Sequence, residues 1–175
     1  MEGKSQDELY LEAGAAFGAA LQRLAAGYEA DREKRKDLLQ EIHLALWRSF
    51  AGFDGRCSLR TWVYRVAHNA ATSYVIRQRR SRPSALVSLE DAGALADPAE
   101  GQGRAEQRFS LDRLLELIQQ LKPLDRQVIL SYLEGLDAGE TAEITGISAG
   151  NVATKIHRIK NLLAQKFRQG VRDAE

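Results

Sequence analysis

Cysteine, histidine and proline are scarce in this chain. Of its 175 residues one is cysteine (Cys57), three are histidine (His43, His68, His157) and three are proline. A lone cysteine excludes intrachain disulfides, and histidines so scattered give no metal-ligand spacing, so no metal and no cofactor is expected. Long apolar runs are also missing. The longest charge-free stretch near the start, Ala13 to Gln22, contains two glycines and falls short of the about 20 apolar residues that span a bilayer, so no membrane insertion is expected. The N-terminus lacks a basic segment followed by a small-residue cleavage site, which makes the cytoplasm the expected compartment. A glycine-rich phosphate loop and a nucleophile paired with its base are absent too, so the chain is not read as an enzyme. Cys57 sits beside Arg56 and Arg60 without a neighbouring histidine, and its thiol is read as incidental.

What is present is a soluble composition, 44% hydrophobic and 28% charged, which excludes wholesale disorder and fibrous repeats. The 25 basic and 24 acidic residues nearly cancel, yet they segregate along the chain. From Arg60 to Arg82 there are six arginines and no acid, and from Thr145 to Arg172 six basic residues and no acid. Two such blocks suggest two surfaces for a polyanion, the alternative being solvated helix faces. Between them Pro83–Gly103 holds two prolines, three glycines and four acids, and it reads as a linker. The expected organisation is a domain over 1–82, a linker over 83–104 and a second domain over 105–175.

Apolar spacing of three and four residues predicts helices on both sides of that linker. Leu9, Phe17, Leu21 and Leu24 mark a first helix ending near Gly27. Leu38, Leu39, Ile42, Ala45, Leu46 and Phe50 mark a second, over about Asp31 to Phe50. A third opens at Ser58, a plausible N-cap, with Trp62, Val66, Ala70 and Tyr74 along one side. Beyond the linker, Leu111, Leu114, Leu115, Ile118 and Leu121 form one stripe; Val128, Ile129, Tyr132 and Leu133 form another, which starts after Pro123 and stops at Gly135. The expected fold is all-α: two small helical domains joined by a flexible linker.

The segment from Asp137 to Phe167 has helix-turn-helix grammar. Asp137 can cap a short helix with Ala142 and Ile144 inward; Gly146 supplies the turn, Ile147 plugs the corner and Ser148 caps the next helix. Val152, Ile156, Ile159 and Leu163 then face inward. Asn151, Thr154, Lys155, Arg158 and Lys160 are left on or beside the outward face, as donors suited to base edges and phosphates. A plain helical hairpin with a basic exterior is the rival reading.

This segment, preceded by LKPLDRQVILSYLEGL, resembles the C-terminal domain of bacterial RNA polymerase sigma factors of the extracytoplasmic-function group, which reads the minus-thirty-five promoter element. DLLQEIHLALWRSF and FDGRCSLRTWVYRVAHNAATSYVIRQRR resemble the same group's domain for core-enzyme docking and minus-ten recognition. The resemblance implies a promoter-specificity factor whose partners are core RNA polymerase (the clamp helices of its largest subunit and its flap), promoter DNA, and a regulator such as an anti-sigma factor. It assigns core docking to Asp37, Gln40, Glu41 and Leu44, which share a helix face. It assigns a base-receiving loop to Asp54, Gly55, Arg56 and Ser58. Of the residues on the following helix, Arg65, Asn69 and Arg77 are the better candidates for single-stranded DNA, while Trp62 and Tyr74 fall on the apolar side and read as core. Two departures stand out. Lys34, Arg35 and Lys36 lie where the group usually has acids, an inversion expected to weaken docking to a basic clamp, and Ala153 occupies a recognition-helix position that is often basic. The rivals are a stand-alone helix-turn-helix regulator that binds operator DNA, and a protein adaptor.

Overall fold

The structure, a computed structural model, describes residues 4–81 and 102–172. Among these residues there are seven helices and no strand: α1 (Gln6–Tyr28), α2 (Arg32–Phe50), α3 (Leu59–Ser81), α4 (Gln102–Gln119), α5 (Pro123–Leu133), α6 (Ala138–Thr145) and α7 (Ala149–Arg172). The all-α expectation therefore holds. Most of the stretch read as a linker lies outside the described residues, and α4 opens at Gln102, inside that stretch.

Short-range chemistry sets the helix ends. Ser5 and Glu8 form a capping box on α1: the hydroxyl accepts the Glu8 N–H at 3.2 Å and the carboxylate accepts the Ser5 N–H at 2.7 Å. Asp31 caps α2 by accepting the Lys34 N–H at 3.0 Å, and the Ser58 hydroxyl accepts the Thr61 N–H at 3.0 Å at the start of α3. Pro123 occupies the first turn of α5, where a missing N–H costs nothing.

The first three helices pack on one another around Leu21, Leu24, Leu38, Ile42, Leu46 and Val63, all nearly fully buried. The last four close around Ile118, Val128, Ile129, Val152 and Ile159. These two units also pack together, with α4 and α5 against α1 and with α5 and α6 against α3. Their shared surface explains where the apolar stripes read from spacing depart from the buried faces. On α5, Tyr132 and Leu133 are exposed, while Leu130 and Ser131 are buried, because that side of the helix meets the first unit. On α3 the half-buried Trp62, Val66 and Ala70 face one neighbour; Val63, Tyr64, Ala67, His68 and Ala71 are buried on the other side. Leu111 of α4 is 54% exposed and Leu117 takes a buried place instead. A helix covered from two directions has no single apolar stripe to read.

At the centre of the shared surface the His68 ring lies between the two units. Its Nδ1 is 2.9 Å from the Tyr28 hydroxyl and its Nε2 is 3.2 Å from the Ser131 hydroxyl. Both partners are hydroxyls that donate or accept, so either neutral tautomer is satisfied. Burial penalises the imidazolium and pushes His68 down to about 3. Beside it the Arg126 guanidinium stacks 5.2 Å from the Tyr28 ring centroid and bonds the Gln119 and Leu121 carbonyls at the turn between α4 and α5. Gly27 permits the close approach of α1 to α5: a Cβ there would lie 2.5 Å from a Leu130 methyl.

Because His68 binds a proton in the unfolded chain before it does in the folded one, its contribution is complete above pH 6.5 and is lost as pH falls toward 3. Urea unfolding should show stability decreasing from pH 6.5 to 5 with a slope that steepens toward about 1.4 kcal/mol per unit, a dependence that His68→Gln should remove.

Candidate nucleic-acid interface

The short helix α6 begins with a second capping box. The Asp137 carboxylate accepts the Glu140 N–H at 2.8 Å and the Glu140 carboxylate accepts the Asp137 N–H at 2.9 Å. Gly146 ends the helix at φ +77, a left-handed conformation that side chains other than glycine resist. Ser148 then caps α7 by accepting the Asn151 N–H at 3.3 Å. Val152, Ile159 and Leu163 are buried and Ile156 is half-buried, as their spacing predicts. The exposed face that results carries Asn151, Thr154 and Arg158, three and four residues apart. The Thr154 hydroxyl donates to the Gly150 carbonyl at 3.0 Å.

The other two predicted donors on α7 are not simply presented to solvent. Lys155 is half-buried and its Nζ lies 2.6 Å from Asp125 of α5. Lys160 rests over Tyr132, its Nζ 5.2 Å from the ring centroid. Both therefore brace α7 against α5 at the edge of the face. Arg158 is exposed and belongs to no ion pair among the described residues.

The loop before α3 is tied to itself. Asp54 accepts the Arg56 N–H at 3.1 Å and pairs with its guanidinium at 3.0 Å, and Gly55 between them sits at φ +73. Asp54, Gly55 and Arg56 are exposed. Ser58, expected both to cap α3 and to help receive a base, spends its hydroxyl on the cap and on a 3.0 Å bond to Thr61. Beneath the loop, Phe53 packs edge-on against Trp62 at 5.3 Å, and the indole N–H donates to the Ser49 hydroxyl at 3.0 Å. Tyr74 is buried and its hydroxyl donates to the Lys34 carbonyl at 3.1 Å. These contacts make Trp62 and Tyr74 core residues. Arg65 is half-buried, with its Nε enclosed and without a hydrogen-bond partner, while Asn69 is exposed.

Asp37, Gln40 and Leu44 are exposed on α2 and Glu41 is half-buried beside them. Glu41 pairs with Arg77 of α3. The two stand over a groove of about 520 Å³ between α2 and α3, also lined by Leu44, Arg48 and Ser73. The inverted charges ahead of this face have local uses. The Arg35 guanidinium donates to the Glu29 and Ala30 carbonyls at 2.9 and 2.8 Å, closing the turn between α1 and α2, and Lys36 pairs with Glu33 at 2.8 Å.

Sequence reasoning missed the polar cluster where the two units meet. Arg23 of α1 grips Glu134, just after α5, through two bonds of 2.8 and 2.6 Å. The Tyr64 hydroxyl donates to the same carboxylate at 3.4 Å. Arg60 donates to the Glu134 carbonyl at 2.9 Å and reaches Glu140 at 3.4 Å. Burial, with the Glu134 charge second, pushes Tyr64 up to about 12. Arg60 was visible only as the first member of a basic block, and nothing in the pattern singles out Glu134.

Among the described residues, no group of three His, Cys, Asp or Glu side chains is placed to hold a metal ion, and no helix is long and apolar enough to cross a membrane.

With this geometry in hand, the comparisons with known proteins define the class. The Sigma-70 region 2 family matches residues 15–81, the α1–α3 unit, and the Sigma-70 region 4 family matches residues 111–163, from α4 into α7. The chain belongs to the sigma-70 family, and its curated relatives place it in the ECF group. It is 29% identical over 141 residues to the ECF RNA polymerase sigma-E factor of Haemophilus influenzae, covering 75% of this chain and 73% of that one. It is 28% identical over 152 residues to the RNA polymerase sigma-H factor of Pseudomonas aeruginosa, covering 82% and 78%. Two solved structures share the fold. One is CnrH in complex with the cytosolic domain of CnrY (TM-score 0.64, 21% identity, 95% of this chain and 88% of that one). The other is the sigma factor RpoE with the anti-sigma factor NepR from Bartonella quintana (TM-score 0.65, 18% identity, 91% and 96%).

The left-handed turn at Gly146 sets how α7 leaves α6. Gly146→Ala should therefore destabilise the protein by about 1 to 2 kcal/mol in thermal unfolding. Gly150→Ala, at an ordinary helical position with open space around it, should be neutral or stabilising.

Proposed function

We propose that this chain binds core RNA polymerase and directs it to promoters, with α7 reading paired DNA of the minus-thirty-five element and α3 with its preceding loop holding unpaired bases of the minus-ten element. The observation that carries this reading is the acid-free exposed face of α7, Asn151, Thr154 and Arg158, held out by the capped α6–Gly146–α7 turn. Arg158 and Thr154 contact DNA directly; Lys155 and Lys160 reach phosphates from the edge while bracing the helix. On the first unit, Asn69, Arg65 and Arg77 serve the opened strand, together with the exposed loop residues Asp54, Gly55 and Arg56, while Ser58 positions the loop. The Arg77–Glu41 pair is solvent-exposed on both sides, so Arg77 exchanges that partner for a phosphate at little cost. Asp37, Gln40, Glu41 and Leu44 meet the polymerase.

Opening follows from binding alone. Unpairing costs a few kcal/mol per extruded base, offset by loop contacts and phosphate neutralisation, so a protein that prefers the parted strand shifts the equilibrium without hydrolysis. The chain works without catalysis, in the cytoplasm. Its domains follow the division 1–82 and 105–175 around a connecting segment, with the start of the second moved to Gln102, where α4 opens. The structural relatives solved with CnrY and NepR support regulation by a protein partner of anti-sigma type.

Reconstitution with core polymerase and run-off transcription from a genomic library should yield discrete promoter-dependent transcripts. DNA binding by the chain alone at specific sites would instead favour a stand-alone regulator. Arg158→Ala should weaken upstream-element binding and lower the slope of log affinity against log salt by about one, with core binding spared; an unchanged footprint and slope would remove Arg158 from the interface.

A further inference from the structure

Among the described residues Arg126 is the one arginine, lysine, aspartate or glutamate that is buried, with 3% of its surface exposed. A guanidinium keeps its proton, so enclosing one calls for a counter-charge. No carboxylate supplies it among the described residues. The Arg126 Nη2 donates to the Gln119 and Leu121 carbonyls, and the head lies over the Tyr28 ring. Its Nε is enclosed without a hydrogen-bond partner. Asp125, the neighbour in sequence, pairs with Lys155 instead.

Arg126 lines a cavity of about 20 Å³ between α3 and α5. That is room for one occupant of about the size of a water molecule. Arg79 of α3 lines the same cavity, and so does Pro123, the first residue of α5, while none of the lining residues is acidic. Burial is the main cause that holds the Arg126 guanidinium below its ordinary value; the Tyr28 phenol opposes it and the Arg79 charge adds to it. The start of α5 is a third source of positive potential, because Lys122 at its N-cap makes no side-chain hydrogen bond to the first turn. A water molecule in this space leaves both guanidinium charges uncompensated. A small anion neutralises them, and the volume has no place for the four oxygens of a phosphate or sulfate.

We propose that the cavity between Arg79, Arg126 and the start of α5 is a binding site for one monoatomic anion, a halide, with chloride the halide that cells supply. Arg126 forms its buried wall and Arg79 its exposed one. The site is independent of the promoter-directing reading, and it makes the stability of this fold depend on which anion is present as well as on ionic strength.

The test follows the chlorine NMR linewidth of sodium chloride in the presence of the full chain. The protein-dependent broadening should saturate as chloride is raised and should be displaced by bromide. Arg79→Gln should weaken chloride binding about tenfold, the loss expected for one charge-assisted contact. Arg80→Gln removes an exposed charge from the same end of α3 outside the cavity lining, and it should leave binding unchanged. Arg79 carries this test because Arg126 also holds the α4 carbonyls. The parent should melt about 3 °C higher in sodium chloride than in sodium gluconate of equal ionic strength, a difference that Arg79→Gln should remove. Broadening that does not saturate, equal binding by the Arg79 and Arg80 variants, or equal melting of the parent in the two salts would each overturn the site.

Discussion

The contact between the two helical units organises the rest of this structure, and its centre is a buried histidine that must stay neutral. His68 is enclosed by Tyr28 of its own unit and Ser131 of the other, with Arg126 over the tyrosine ring. A neutral imidazole between two hydroxyls has both ring nitrogens partnered, whereas an imidazolium there would be a desolvated charge. Around this point Leu130 fills the space that Gly27 leaves open, so apolar packing and polar pairing hold the same surface. At its margin lies the Glu134 cluster, where the attraction is between ions.

That division matters for how an initiation factor of this class works. The ends of the helix-turn-helix are set locally, by a capping box, a left-handed glycine and a serine cap, while α6 also packs against α3 of the first unit. The α7 face stays exposed while the units are packed. The first unit is likewise complete in itself, its loop braced by the Asp54–Arg56 pair and its aromatic floor by Phe53 and Trp62. Packing one unit on the other leaves the outer face of α7 and the loop before α3 exposed.

The charge inversion at Lys34, Arg35 and Lys36 takes a different meaning in the folded chain. Arg35 is spent on the carbonyls after the end of α1, while Lys36, paired with Glu33, stays exposed ahead of Asp37 and Gln40. A block of like charge in a sequence reports composition; which partners neutralise it depends on backbone that lies within a few residues but points back along the chain.

Helix content, the turn at Gly146, the caps at Ser58, Asp137 and Ser148, and the outward set on α7 were legible in the sequence, because each depends on residues within about one or two helical turns. The burial of Trp62 and Tyr74 was legible for the same reason. What tertiary structure alone decided lies in long-range contacts: the burial of Leu130 and Ser131 in place of Tyr132 and Leu133, the enclosure of His68 and the seat of Glu134 between residues 74 and 111 positions away, which depend on one unit's approach to the other, and the diversion of Lys155 to Asp125 within the second unit. Periodicity describes one helix against one core. It carries no mark of a second surface, since a helix packed from both sides satisfies two stripes at once and a single carboxylate gains its partners only when distant segments are brought together.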